Sequence, residues 1–286
     1  MFPILANIPI QEIRNEFLSK YKVQLYIQRD DLIHSEVSGN KWRKLKYNVN
    51  EYFFKGCQSI LTFGGAYSNH ISATAAAGKL LDIQTHGIIR GEEVINPTLE
   101  NAEKDGMTLH FISREEYKKK HQSKLVINVL ESLKKPYVIP EGGANLLGIK
   151  GCGEIVQESH FDVVTCACGT GSTFSGIISS LNKNQYAIGF PVLKGGGFLE
   201  KDIIKNLQLL ESENRNWKLE TDFHFGGYAK YRPDLIEFIR AFWENNSIKL
   251  DPVYTGKAMY GLHSIIESGQ LMGKKILFIH TGGLQG

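Results

Sequence analysis

Short apolar runs rich in β-branched residues alternate with helix-length amphipathic segments along almost the whole chain, and this alternation restricts the fold more than any other feature. Val23-Gln24-Leu25-Tyr26-Ile27 and Ser59-Ile60-Leu61-Thr62-Phe63 read as strands, as do residues 84–89, 109–112, 137–139, 163–167, 185–189 and 275–280. Between them, helical patterns begin at Lys41 and cover 73–81, 124–133, 148–159, 176–181 and 232–245. Strands this apolar leave no face for water, so helices must cover both sides of a largely parallel sheet. The class is α/β. At 286 residues the chain has room for one large domain or two modest ones, and no repeat, linker or compositional shift marks a boundary.

Charge and cysteine usage remove several functions. A net charge of +3 spread over the chain lacks the basic stripe of a nucleic-acid protein. The one dense run, Lys118-Lys119-Lys120 with Lys124 nearby, follows Glu115-Glu116 and reads as a solvated helix face. Four cysteines, with Cys166 and Cys168 inside an apolar run, make neither a disulfide framework nor a zinc set, so no metal site is expected. No secretory signal and no membrane-length apolar run is visible, and a cytoplasmic protein with no membrane partner is the expectation.

Lys41 is the residue whose position asks for chemistry. It follows the turn and cap residues Ser38-Gly39-Asn40, and Trp42, Leu45, Val49 and Phe53 then recur at helical spacing. A lysine in a first turn faces the positive end of the helix dipole, which favours the neutral amine or an imine over the ammonium. A solvated surface lysine is the commoner case, so the rest of the chain must decide.

Three strand-to-helix junctions supply what a lone lysine lacks. Gly64-Gly65-Ala66-Tyr67-Ser68-Asn69-His70 pairs two glycines, which permit close backbone approach, with side-chain donors at a helix N-terminus, a natural carboxylate site. A simple helix cap would account for Ser68 and Asn69 but not for the double glycine. Cys168-Gly169-Thr170-Gly171-Ser172-Thr173 alternates glycines and hydroxyls as a helix opens, a cradle of N–H groups suited to a phosphate dianion. It is neither a Walker loop nor a regular dinucleotide fingerprint. His280-Thr281-Gly282-Gly283 closes the series after the last strand, and Asp251-Pro252-Val253-Tyr254-Thr255 punctuates the start of another helix.

Together these segments resemble the fold-type-II pyridoxal 5′-phosphate (PLP) enzymes, in particular the group of 1-aminocyclopropane-1-carboxylate (ACC) deaminase and D-cysteine desulfhydrase. The stretches that carry the resemblance are Gly39-Asn40-Lys41-Trp42-Arg43-Lys44-Leu45, Ser68-Asn69-His70, Glu141-Gly142-Gly143-Ala144-Asn145, the 169–173 loop, Asp251-Pro252-Val253-Tyr254 and His280-Thr281-Gly282-Gly283. The resemblance implies two three-layer αβα domains with mostly parallel sheets and the cofactor in the cleft between them. The large domain would comprise 1–50 and 155–286 and the smaller inserted one 51–154, in a homodimer. It implies PLP bound through Lys41, which would also move the Cα proton. Asn69 would bond the cofactor's phenolic oxygen; Gly169, Thr170, Gly171, Ser172 and Thr173 would hold its phosphate; Thr255 and Thr281 would lie at its ring. Ser68, Asn69 and His70 would bind the substrate carboxylate, and Tyr254 would act at the substrate or its leaving group. A second tyrosine is expected in the site, with Tyr228 and Tyr231 both candidates. Where the family usually has glutamine, Tyr67 is expected to narrow the site.

Two positions bear on the reaction. ACC deaminases carry glutamate where this chain has Thr255, and leucine where it has Thr281. A carboxylate beside the ring nitrogen keeps it protonated and deepens the electron sink needed to open a cyclopropane; a hydroxyl does not. The expectation is β-elimination from D-cysteine, giving pyruvate, ammonia and sulfide. ACC deamination to 2-oxobutanoate and ammonia is the alternative, and a non-catalytic PLP-binding homologue is the remaining one.

Overall fold

The computed structural model describes residues 7–283. Ten strands run in chain order: β1 (Ile10–Ile13), β2 (Gln24–Gln28), β3 (Ser59–Gly65), β4 (Gln84–Arg90), β5 (Met107–Ile112), β6 (Pro136–Ile139), β7 (Val163–Cys168), β8 (Tyr186–Pro191), β9 (Trp217–Leu219) and β10 (Lys275–Ile279). The helices among them are α1 (Glu16–Lys20), α2 (Asn40–Phe54), α3 (Asn69–Leu81), α4 (Pro97–Lys104), α5 (Arg114–Lys119), α6 (Lys124–Ser132), α7 (Leu146–Cys152), α8 (Ser172–Ser180), α9 (Leu199–Leu209), α10 (Pro233–Asn246) and α11 (Thr255–Glu267). They form two sheets, one of six strands in the order β1-β2-β10-β7-β8-β9 and one of four in the order β5-β4-β3-β6. Every pairing is parallel except β1 with β2.

Side-chain alternation explains the unbroken apolar strands. In the six-stranded sheet Ile27, Val163, Ile188, Ile276 and Phe278 pack on one side with Ala258, Met259 and Leu262 of α11. Their neighbours Val164, Cys166, Ala187, Leu277 and Ile279 pack on the other with Phe174 and Ile177 of α8 and Ile203 of α9. With a period of two and helices on both sides, each position of β7 is buried. The four-stranded sheet is covered in the same way. Ile60, Tyr137 and Ile139 meet α2 and the alanines of α3, while Leu61, Phe63 and Ile88 meet Tyr117 and Val126.

Several expectations change. Phe53 is 47% exposed, and Tyr52 joins Trp42, Leu45 and Val49 in the buried face. Tyr52 lies two helical turns beyond Leu45 and so stays on its face, whereas Phe53 is rotated off it. The helix expected over 148–159 ends at Cys152, and the one expected from 176 starts at Ser172. The six-stranded sheet takes its strands from 10–28 and 163–279 and the four-stranded sheet from 59–139, and α2 runs unbroken from Asn40 to Phe54 and packs on the smaller sheet.

The chain end fixes the start of α2. Past β10, the Thr281 carbonyl accepts the Asn40 N–H at 3.2 Å. The Gly39 backbone has φ +62°, and a Cβ there would stand 2.0 Å from the Thr281 oxygen. His280 Nε2 donates to the Lys249 carbonyl at 2.7 Å, while its Nδ1 accepts the Gly282 N–H at 3.3 Å. Gly39→Ala therefore meets both backbone strain and a collision. It is expected to lower stability by at least about 2 kcal/mol, read as a fall in the urea midpoint with an unchanged slope.

Candidate active site

The carboxyl ends of β3, β7 and β10 face one another across a cleft of about 430 Å³, a volume suited to a cofactor with a small substrate. Of the residues singled out in the sequence, Lys41, Ser68, Asn69, His70 and Tyr254 line it. So do Gly169, Thr170, Gly171, Thr173, Tyr228 and Thr281.

Lys41 sits one residue into α2, its amine 3.2 Å from the Asn40 side-chain oxygen. Asn40 is held in turn by donating to Thr173 Oγ1 at 2.8 Å, which links the lysine's helix to the glycine loop. Withdrawal from water, helped by the nearby Lys44 charge, brings the Lys41 amine down to about 7. The amine is thus substantially neutral at physiological pH. Desolvation, rather than the helix dipole invoked from sequence, is the leading cause.

Lys44, one turn further along, was missed as a site residue although it lies within the same motif. It is 3% exposed, and its amine donates to Ser172 Oγ at 2.7 Å and to the Gly142 carbonyl at 3.0 Å. Among the described residues neither Lys41 nor Lys44 has a carboxylate partner. Ser172 Oγ also meets Thr170 Oγ1 at 2.8 Å, and Ser172 lies behind the cleft surface, not on it. The loop passes into α8 through Gly171 at φ +75°, and the first-turn N–H groups of that helix have no intrahelical acceptors.

At the other helix start, Ser68 Oγ caps α3 by accepting the N–H groups of His70 and Ile71, both at 3.3 Å. The cap and the site are therefore the same residue, and the hydroxyl proton remains free to donate. His70 is 1% exposed and bonds Thr62 Oγ1 at 2.9 Å. Thr62 gives its own proton to the Ile139 carbonyl at 2.9 Å, so His70 must be the donor through Nε2. Its Nδ1 is left as a buried lone pair without a protein partner. Burial and the two lysine charges push the imidazole well below its usual range, which keeps it neutral. Tyr67 lines the cleft but is 69% exposed, so it stands at the mouth and does not narrow the interior.

The Tyr254 ring lies against Gly169, where a Cβ would be 3.2 Å from it, and meets the Tyr228 ring edge-on with centroids 6.1 Å apart. Tyr231 is 57% exposed and does not line the cleft, whereas Tyr228 does. Burial, with the Tyr228 phenol beside it, pushes the Tyr254 phenol well above its usual range. Thr255 departs from expectation. It is fully buried, does not line the cleft, and gives its hydroxyl proton to Asp251 Oδ2 at 2.7 Å while accepting the Asp251 N–H at 2.9 Å. Asp251 also collects the N–H groups of Val253, Tyr254 and Thr255, and this tight cap draws the hydroxyl inward. Thr281, by contrast, reaches the cleft.

A family model described as pyridoxal-phosphate dependent enzyme matches residues 2–282. The chain belongs to this family. It is 34% identical over 294 residues to a putative 1-aminocyclopropane-1-carboxylate deaminase of Pyrococcus horikoshii, covering 97% of this chain and 90% of that protein. It is also 34% identical over 297 residues to the bifunctional D-cysteine desulfhydrase/1-aminocyclopropane-1-carboxylate deaminase, mitochondrial, of Arabidopsis thaliana, covering 92% and 73%. A crystal structure of an ACC deaminase homologue superposes with a TM-score of 0.86 at 32% identity, covering 100% of this chain and 91% of the other. The protein is a PLP-dependent enzyme of the ACC deaminase and D-cysteine desulfhydrase group, with the fold-type-II architecture.

The residues present fit that cofactor. Two desolvated amines without a carboxylate counter-ion stand beside an N–H-rich loop, an arrangement that calls for a dianion. Lys44 and the 169–173 loop would hold the phosphate, and Lys41, in its neutral form, would be the cofactor's point of attachment. Replacing Lys44 by methionine removes a charge-assisted contact, and PLP affinity is expected to fall by about ten- to a hundredfold, measured by spectrophotometric titration of the apoenzyme. Lys41 in the apoenzyme should react with an amine-directed reagent along a curve with its midpoint near pH 7, since only the unprotonated amine reacts. Peptide mapping against pH reads this directly, with exposed lysines still rising toward pH 10.

Proposed function

We propose that the protein cleaves D-cysteine, with water, to pyruvate, ammonia and hydrogen sulfide. The observation that carries this choice is the set of groups facing the cleft: hydroxyls, phenols, amides, the His70 imidazole and the basic side chains of Lys41, Lys44 and Arg90, with Glu141 as its one carboxylate among the described residues. Glu141 is tied to Lys120 at 2.7 Å. PLP supplies the electron withdrawal that loosens a proton at the substrate Cα.

Ser68 Oγ–H and the N-terminus of α3 orient the substrate carboxylate, with Asn69 beside them. Lys41, with its amine at about 7, takes the Cα proton and passes it on to the departing thiolate or to water, so that the amine is free again for the next turnover. Tyr254 keeps its proton through the neutral range and offers it near the leaving group. Neither Thr255 nor Thr281 brings a carboxylate to the site, and loss of a thiolate asks less of the electron sink than opening a strained carbon ring. A homodimer acting in the cytoplasm belongs to the same proposal, on the family resemblance.

ACC deamination is the second reading; the names of the archaeal relatives favour it, while that of the plant relative carries both activities. Purified enzyme given each amino acid in turn separates the two. Sulfide and pyruvate from D-cysteine, with no 2-oxobutanoate from ACC, are expected; the reverse pattern overturns the choice. Lys41→Ala should abolish both turnover and the absorption band near ~410–420 nm that a Schiff-base lysine confers, while a retained band would remove Lys41 from its role.

A further inference from the structure

Lys257 is a buried amine that this chemistry leaves unused. It is the third residue of α11, just beyond Tyr254 and Thr255, and is 1% exposed. Its ammonium donates to the carbonyls of His224 at 3.0 Å and Gly227 at 2.7 Å. Burial brings it down to about 8, so it is largely charged at neutral pH. Charge-assisted bonds of this kind are among the stronger ones available to a backbone carbonyl.

Both carbonyls belong to the turn that carries Tyr228. Four residues there have positive φ: Phe225 (51°), Gly226 (95°), Gly227 (119°) and Ala229 (54°). Phe225 and Ala229 bear side chains in a region that disfavours them, so the turn needs outside contacts to hold its shape. One is the Phe225 ring, edge-on to Tyr260 of α11 at 5.0 Å. Arg232 also lies over the Phe225 ring at 4.9 Å, and Lys257 grips the backbone of the turn itself. Since Tyr254 and Lys257 sit on the same helix start, an amine that grips 224 and 227 also fixes where Tyr228 meets the Tyr254 ring.

We propose that Lys257 is the positioning residue for Tyr228: it clamps the strained 224–230 turn to the start of α11 and so sets the pairing of the two tyrosines in the cleft. The consequence for turnover rests on the reading that Tyr228 meets the substrate; the clamp itself does not.

Two measurements on the holoenzyme test this. The Lys230–Tyr231 bond is a tryptic site within the turn. Lys257→Met should speed its cleavage by at least about tenfold with other sites unchanged, and Lys257→Arg should restore much of the protection. With D-cysteine, or with ACC if that is the amino acid turned over, Lys257→Met should raise KM about as much as Tyr228→Phe. The double variant should be no worse than the poorer single one, because both changes remove the same contact. Unchanged cleavage, or cleavage accelerated at every tryptic site together, overturns the clamp and leaves Lys257 a core-filling side chain. Losses that multiply in the double variant overturn the link to Tyr228. If the methionine variant yields no soluble holoenzyme, Lys257→Gln takes its place under the same outcomes. The cleavage result stands whichever amino acid is turned over, so failure of the clamp and failure of the substrate assignment are distinguishable.

Discussion

Two amines held out of water one helical turn apart, with no carboxylate between them, are the constraint around which the rest of this structure is arranged. Like charges so placed cannot both stay protonated cheaply. Their surroundings divide them. Burial lowers the Lys44 amine as well, but Lys44 has two acceptors for its protons, Ser172 Oγ and the Gly142 carbonyl. Lys41 has one longer contact, to Asn40, and gives up its proton near pH 7. For the folded protein the burial of Lys41 is unfavourable in full below about pH 7 and is relieved as pH rises toward its unfolded value of 10.5. A bound dianion would remove much of that penalty, so cofactor binding and stability are coupled.

Holding Lys41 in place takes parts of both sheets. The end of β10 docks on Gly39, and Asn40 reaches Thr173 at the start of α8. Lys44 spans from α2 to the turn after β6 and to the phosphate loop. The apolar face of the same helix packs on the four-stranded sheet. Helix α2 therefore belongs to the smaller sheet by packing and to the larger one by its polar contacts. This makes it the element through which any relative movement of the two sheets would reach the amine.

The sequence carried the strands and glycine turns well because their signals are local: an apolar run buried on both sides needs no distant information. The glycine loop at 169–173 and the α3 start were legible for the same reason. What escaped depends on partners far away in the chain. Lys44 looked like one more charge in a basic motif, since its acceptors are at Gly142 and Ser172. Thr255 looked like a donor to the cleft because nothing in its neighbours announces that the Asp251 carboxylate turns back to take its proton. Tyr228 and Tyr231 could not be separated, since the turn that carries Tyr228 runs through positive φ at Phe225 and Ala229, which residue identity disfavours. The short strands β1 and β9 are sheet-edge elements whose burial is partial, so their apolar pattern is weak.

One physical cause supplies both halves of the site's proton chemistry. Withdrawal from water destabilises whichever form of a group is charged, so it lowers the Lys41 amine and raises the Tyr254 phenol. At neutral pH the lysine amine can then accept a proton while the phenol keeps its own, with Asp251 and Glu141 adding to the rise that burial and Tyr228 begin at the phenol. Groups whose environments push their proton affinities apart in this way mark acid and base roles. A site built on desolvation requires closure against water more than it requires charged partners. That fits a cleft in which the one lining carboxylate among the described residues, Glu141, is paired with Lys120, and in which Asp251 is kept behind the surface by its own cap.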